Sequence, residues 1–314
     1  MKIGIDVFGG DYAPDAIVKG AINATKELSD DVTLVLIGNK SSIINICSSE
    51  QFDHSLFEII HTEECISMGE HPAKAFSQKK NSSIVLGFYL LSKGAIDGFA
   101  SAGNTGAMLV GAMQVVKSVP GVIRPSITAS VPRIVGHPAV LLDVGLNPDC
   151  KPDVLYQYAI LGSLFAKHVN GISSPKVGLL NIGAEEEKGT LLTKTSYQAM
   201  KGTTDFNFIG NVEGNDFFSD HVDVLVCDGF VGNVMLKEAE AFYKLVQQRN
   251  IKDDFFEKFN FENIGGTPIL GVNAPVVIGH GISNEKAIKN MILHTKEVIN
   301  ANLPDKIKQA FNNE

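Results

Sequence analysis

Short apolar runs, each closed by a turn rich in Gly, Asn or Asp and followed by a helix-spaced segment, recur along this chain. "KIGIDV" passes through "FGGDYAP" into "DAIVKGAINATKEL", where Ile17, Val18, Ala21, Ile22 and Leu28 fall near helical spacing. "VTLVLIG" leads into "KSSIINICSSE", and "GAIDGFAS" leads through "AGNTG" into "AMLVGAMQVV". "AVLLDVG" precedes "DVLYQYAILGSLFAKHV", "KVGLLNIG" precedes "TLLTKTSYQAM", "VDVLVCDGFVGN" precedes "VMLKEAEAFYKLVQQ", and "PVVIGHG" precedes "ISNEKAIKNMILHTKEVIN". Continuous apolar strands alternating with helices predict a mostly parallel sheet covered on both faces, as in a doubly wound α/β fold. In that design ligands bind beyond the carboxyl ends of the strands, where these polar turns gather.

At 314 residues the chain is long enough to bury a large core and fits either one big α/β unit or two lobes sharing a sheet; it is read as a single α/β catalytic unit over 1–314. Two stretches break the pattern. Residues 117–138, "KSVPGVIRPSITASVPRIVGHP", are rich in Pro and Gly and suit a connection or β-arm. Residues 247–263, "QQRNIKDDFFEKFNFEN", set Ile251, Phe255, Phe256, Phe259 and Phe261 among charges. A helix there is amphipathic, and its aromatic face packs on the protein itself or meets a partner or membrane surface.

With 27 basic against 35 acidic residues the formal charge is −8, and no basic stripe with interleaved aromatics is present, so nucleic acid is not an expected partner. Cys47, Cys65, Cys150 and Cys227 form no CxxC or Cys/His cluster, which predicts a reducing, cytoplasmic setting. The start "MKIGIDVFGG" lacks the apolar core of a signal peptide, and no run reaches the roughly 18 apolar residues of a spanning helix.

Neither GxGxxG nor GxxxxGK[ST] occurs, which leaves dinucleotide chemistry with little support, and HExxH is absent. Residues suited to an anion stand at expected strand ends instead: Asn104 and Thr105 between Gly103 and Gly106, Lys188 with Thr190, Asn233, and His280. Each has a plainer alternative. The Gly-Asn pairs suit turns, and Lys188 in "AEEEKG" suits a solvated charge run at a helix start. Cys227 reads as a buried strand cysteine, since no base is identifiable beside it. Asp6 and Asp11, flanking "VFGG", orient a substrate group or cap the first helix, and Asp228 is a turn or cap residue or a substrate contact.

"GIDVFGGDYAP", "KKNSSI", "FASAGNTGAM", "LLDVGLNPDCKP", "YAILGS", "VGLLNIGAEEEKGT", "FIGNVEGND", "VCDGFVGNVMLK" and "GGTPILGVNAPVVIGHG" appear in the order found in the bacterial phosphate acyltransferase family. The chain resembles that family over nearly its whole length. It departs at Ser77 and Gln78, where relatives commonly carry basic residues, and at Ile282, where Ser is common. The resemblance implies an isocitrate/isopropylmalate dehydrogenase-like α/β fold shared with phosphotransacetylases, and a homodimer. It implies acyl transfer from acyl-[acyl-carrier-protein] to orthophosphate for phospholipid synthesis, with no cofactor and no metal. It also implies that the labile acyl phosphate passes to a membrane glycerol-3-phosphate acyltransferase, so that a cytoplasmic enzyme would associate peripherally with the membrane surface.

Orthophosphate is already an anionic nucleophile, so such an enzyme needs to bind and aim it rather than deploy a Ser–His–Asp triad. In that scheme the "GNTG" turn with Gly103, Asn104, Thr105 and Gly106 cradles phosphate, and Asp6, Asp11, Thr190 and Asp228 are further substrate-binding candidates. Lys188 offsets charge on phosphate or the tetrahedral intermediate, Asn233 donates to the thioester carbonyl or phosphate, and His280 protonates the leaving sulfur. Lys74, Lys79, Lys80 and Arg124 are candidates for docking an acidic carrier protein. The competing readings are a phosphotransacetylase acting on short acyl-CoA, a non-catalytic phospho-ligand binding protein, and a nicotinamide-dependent dehydrogenase.

Overall fold

A computed structural model describes residues 1–311. Its strands, among the described residues, are β1 (Lys2–Asp6), β2 (Thr33–Gly38), β3 (Glu58–His61), β4 (Gly98–Ser101), β5 (Ser126–Val131), β6 (Ala139–Leu142), β7 (Lys176–Leu180), β8 (Asn207–Val212), β9 (Val224–Val226), β10 (Thr267–Leu270) and β11 (Val276–Ile278). The chain forms two compact units, an arrangement its length allowed beside a single one. The first comprises Met1–Ser118 and Phe261–Asn302, and the second runs over Val119–Asn260 and takes in the C-terminal helix Leu303–Phe311.

In the first unit the strand order is β3-β2-β1-β4-β11-β10, parallel except that β10 runs antiparallel to β11. Alternation along β4 shows how both faces are covered. The position of a Cβ on Gly98 falls 2.7 Å from Ile299 of the helix Glu285–Asn300, on one side of the sheet. Its neighbour Phe99 points the other way, against Gly87 of the helix Ser83–Ser92 and edge-on to Phe88 at 5.2 Å. Phe88, Phe99, Ile84, Val276 and Met108 belong to one fully buried cluster. At Gly20 the helix Asp15–Thr25 comes against Ile288, so two helices close on one face.

The second unit repeats the design with the order β5-β6-β9-β7-β8, parallel except for the antiparallel β5–β6 pair. Gly162 lets the helix Pro152–His168 approach Val224 and Leu142 on β9 and β6. The stretch 117–138 is more than a connection, because its centre, "SITASV", is the largely buried strand β5. Its β-branched Ile127, Thr128 and Val131 fit a covered strand, and Pro125 and Pro132 lie just outside it.

The amphipathic helix expected over 247–263 does not form. The long helix Gly229–Gln248 ends in a Schellman motif: Asn250 takes a positive φ of 54°, its N–H donates to Gln247 O, and the Ile251 N–H donates to Val246 O. Asp253 Oδ1 then accepts from Phe255 N, which opens a short 3-10 turn at Phe256–Phe259. The rings pack on their own unit: Phe259 lies edge-on to Phe218 at 5.3 Å and to Phe255 at 5.4 Å, and Phe256 lies against Phe242 at 6.1 Å. Phe261 opens a separate one-turn helix in the first unit.

Candidate active site

In each unit the polar turns converge at the carboxyl ends of the parallel strands. The first unit gathers the ends of β1, β4 and β11. Asp6 Oδ2 accepts from Ser101 Oγ at 2.6 Å, and Ser101 Oγ in turn accepts from Gly103 N at 2.9 Å. Gly279 N donates to Ser101 O and Asp11 N to Gly281 O, tying the "GHG" turn to both neighbours. Asp6 is buried, and burial pushes its carboxyl above the ordinary carboxylate range, against the opposing bonds from Ser101 and the Phe8 N–H. It organises the turn from within rather than facing a ligand. Asp11 is exposed and does not cap the first helix, whose N-cap position is Pro14.

Asn104 departs furthest from expectation. Its Oδ1 accepts from Ala107 N and caps the helix Thr105–Gly111. Its Nδ2 donates to the carbonyls of Ser67, Met68 and Glu70 at 3.0–3.1 Å. The amide is therefore committed to holding the 67–70 turn, and Asn104 is buried. Gly106 is required for packing, since a Cβ there would meet Pro72. Thr105 is exposed at the first helical position. His280 is also exposed and lies against Phe261 at 5.2 Å.

The second unit gathers the ends of β6, β9 and β7. Asp143, which sequence reading passed over, sits at the centre. Its Oδ1 accepts from Ile127 N, and its Oδ2 accepts from Asn147 N at 2.6 Å. Asn147 O receives the Gly229 N–H, and a Cβ on Gly232 would collide with Asp143 O, so this loop is seated on the start of the helix Gly229–Gln248. Burial raises the Asp143 pKa, opposed by the N–H donors of Asn147 and Ile127. The sequence signal was an Asp at the end of an apolar strand, "LLDVG", which by itself looks like any strand-end turn. Cys227 lies beside the Asp143 backbone, its Sγ–H directed to the Asp143 main-chain carbonyl at 3.7 Å. Burial first, and then the charges of Asp228 and Asp143, hold its thiol well above the ordinary range. It stays protonated, in keeping with a strand cysteine rather than a nucleophile.

Asp228 caps the long helix, its Oδ1 accepting from Val231 N, and Thr190 caps Leu191–Met200 through Thr193 N. A capping carboxylate accepts hydrogen bonds and repels anions, so Asp228 is suited to a donor group of a substrate and not to phosphate. Lys188 is exposed, and its ammonium has no ion-pair partner among the described residues. Its backbone is anchored instead: Asn181 Nδ2 donates to Lys188 O, and Gly189 follows at φ +92°, where a Cβ would strike Asn181 and Thr193. Asn233 lies one turn into the helix with an exposed side chain, and a Cβ on Gly145 would sit 3.3 Å from its Oδ1. Around these loops is a cavity of about 430 Å³ lined by Leu155, Leu179, Leu180, Asn181, Ile182, Gly189, Thr190, Thr193, Gly214, Cys227, Asp228, Val231 and Met235. The arrangement offers an unpaired cation, an amide donor, capping hydroxyls and an apolar recess, all within one unit.

Of the basic residues considered for docking, Lys79 is bound to Glu70 at 2.6 Å, and Arg124 donates to Asp149 O. Lys74 and Lys80 are exposed.

A family described as "Fatty acid synthesis protein" matches residues 1–306. The phosphate acyltransferase of Desulforamulus reducens is 41% identical, covering 100% of this chain and 98% of its own. That of Dictyoglomus thermophilum is 39% identical, covering 99% and 98%. Among solved structures, a phosphotransacetylase from Streptococcus pyogenes superposes with a TM-score of 0.65 at 18% identity, covering 95% of this chain and 94% of its own. At that identity the likeness bears on the fold, and it agrees with the phosphotransacetylase-like α/β architecture expected from sequence. Matched from end to end by relatives of that name, the chain belongs to the phosphate acyltransferase family.

Proposed function

We propose that this protein transfers a fatty acyl group from acyl-[acyl-carrier-protein] to orthophosphate, releasing acyl phosphate and the free carrier thiol. The observation that carries this is the near full-length match, at 39–41% identity, to phosphate acyltransferases. A phosphate oxygen attacks the thioester carbonyl carbon, a tetrahedral intermediate forms, and the carbon–sulfur bond breaks as sulfur takes a proton. No protein nucleophile is needed, which accords with the protonated, buried state of Cys227. Holding phosphate against the thioester supplies the proximity term, about 7–11 kcal/mol when alignment is good. In this reading Lys188 balances the charge of phosphate, and Asn233 donates to the developing oxyanion, where a fixed donor contributes roughly 3–4 kcal/mol. His280, Thr105, Asp11, Thr190 and Asp228 remain substrate-contact candidates. Asp6, Gly103, Asn104 and Gly106 support the turn around them.

We extend the proposal to the surroundings of the reaction. The helix Gly229–Gln248 exposes Phe230, Val234, Phe242 and Leu245, which share one side at helical spacing, a surface that supports a homodimer. No helix among the described residues is long and apolar enough to cross a membrane. Delivery of a lipid product to a membrane acyltransferase favours peripheral association, with Phe255, Phe256 and Ile251 the contact candidates. The deciding assay incubates the protein with palmitoyl-carrier protein and inorganic phosphate. Release of free thiol that requires phosphate is expected, whereas turnover of acetyl-CoA alone would overturn the reading.

A further inference from the structure

We propose that the cavity of the second unit holds the fatty acyl chain and measures its length; this rests on the acyl transfer proposed above. The lining combines two kinds of residue. Leu155, Leu179 and Cys227 are almost wholly buried and bring no charge. Thr190 and Asp228 are less buried and stand at the starts of two helices, Thr190 two residues from Lys188. A mostly apolar recess with a few polar groups in its wall fits a hydrocarbon tail whose reacting end must stay among hydrogen-bonding groups. The volume of about 430 Å³ is far larger than an acetyl group fills, and where its wall is the buried Leu155, Leu179 and Cys227 a tail can go no deeper without displacing buried side chains.

Met235 is the residue placed to set this limit. It lines the cavity from the helix Gly229–Gln248 and is only half-buried, so its side chain is replaceable without opening the core. A larger or smaller side chain at this position changes the room left for the tail, and one methylene in an apolar pocket is worth about ten- to two-hundredfold in discrimination.

The test compares kcat/KM for palmitoyl- and hexanoyl-carrier protein in wild type, Met235→Trp and Met235→Ala, with equilibrium binding of the fluorescent fatty acid cis-parinaric acid measured alongside. Met235→Trp is expected to lower the palmitoyl-to-hexanoyl ratio by about tenfold or more and to weaken parinaric acid binding similarly, whereas Met235→Ala leaves or raises the ratio. An unchanged ratio, or equal loss for both donors, overturns the proposal. Absence of turnover in wild type with every donor would sink the acyl transfer reading instead. Parinaric acid binding would still decide the pocket: sensitivity to Met235→Trp supports it, and equal affinity in both proteins overturns it.

Discussion

Asp6 and Lys188 show how differently two charged residues at strand ends are used. Asp6 is enclosed and hydrogen-bonded to its own turn, while Lys188 projects from a backbone that Asn181 and Gly189 hold still. Replacing Lys188 by Ala should therefore lower kcat/KM by roughly a hundredfold or more, with Asn233→Ala similar. Both side chains are exposed, so melting should barely move, and steady-state kinetics beside thermal unfolding checks this. Asp6 has the opposite signature. Because burial raises its pKa in the folded state, folding favours its protonated form. That contribution is complete below the ordinary carboxylate range and fades as pH rises through the raised value. In denaturant titrations from acid to neutral pH, wild type should lose stability relative to Asp6→Asn, and parallel curves would contradict the assignment.

Elements here depend on a few caps and close approaches more than on intrinsic propensity. Asn104 both caps Thr105–Gly111 and holds the 67–70 turn, so Asn104→Ala removes a cap and leaves carbonyls seeking partners. A loss of about 2–4 kcal/mol in urea unfolding is expected. Gly189 has no such tolerance either: Ala there faces both a positive φ and a collision with Asn181 and Thr193, so activity should fall through displacement of Lys188. The periodic helices were legible because their apolar spacing is local. The segment after Gln248 was not, since aromatic content suggested an amphipathic helix while Asn250 and Asp253 supplied the stop and the new turn. An Asn followed by Ile, with its backbone free to enter the left-handed region, was the signal available.

At the scale of the molecule, the chain uses one design twice: a mostly parallel sheet, polar turns at the strand ends, and helices against it. The exposed stripe on Gly229–Gln248 predicts that Phe242→Asp with Leu245→Asp converts a dimer to a monomer in multi-angle light scattering. If the proposed carrier-protein donor is right, a chain of net charge −8 has to dock that acidic protein through local lysines such as Lys74 and Lys80, and KM should rise steeply with salt. The recurring alternation of apolar strand, polar turn and helix followed from sequence alone, because hydrophobic spacing and turn chemistry are fixed by neighbours a few residues away, whereas β3, β5, β10 and the helices Pro72–Gln78 and Ser83–Ser92 did not stand out. Which polar residue stays available to a ligand did not. Gly103-Asn104 and Gly232-Asn233 are the same dipeptide, yet the 67–70 turn covers and saturates Asn104, whereas the Asn233 side chain stands exposed at the start of a long helix. Burial is set by segments distant in sequence, and only the folded chain brings them together.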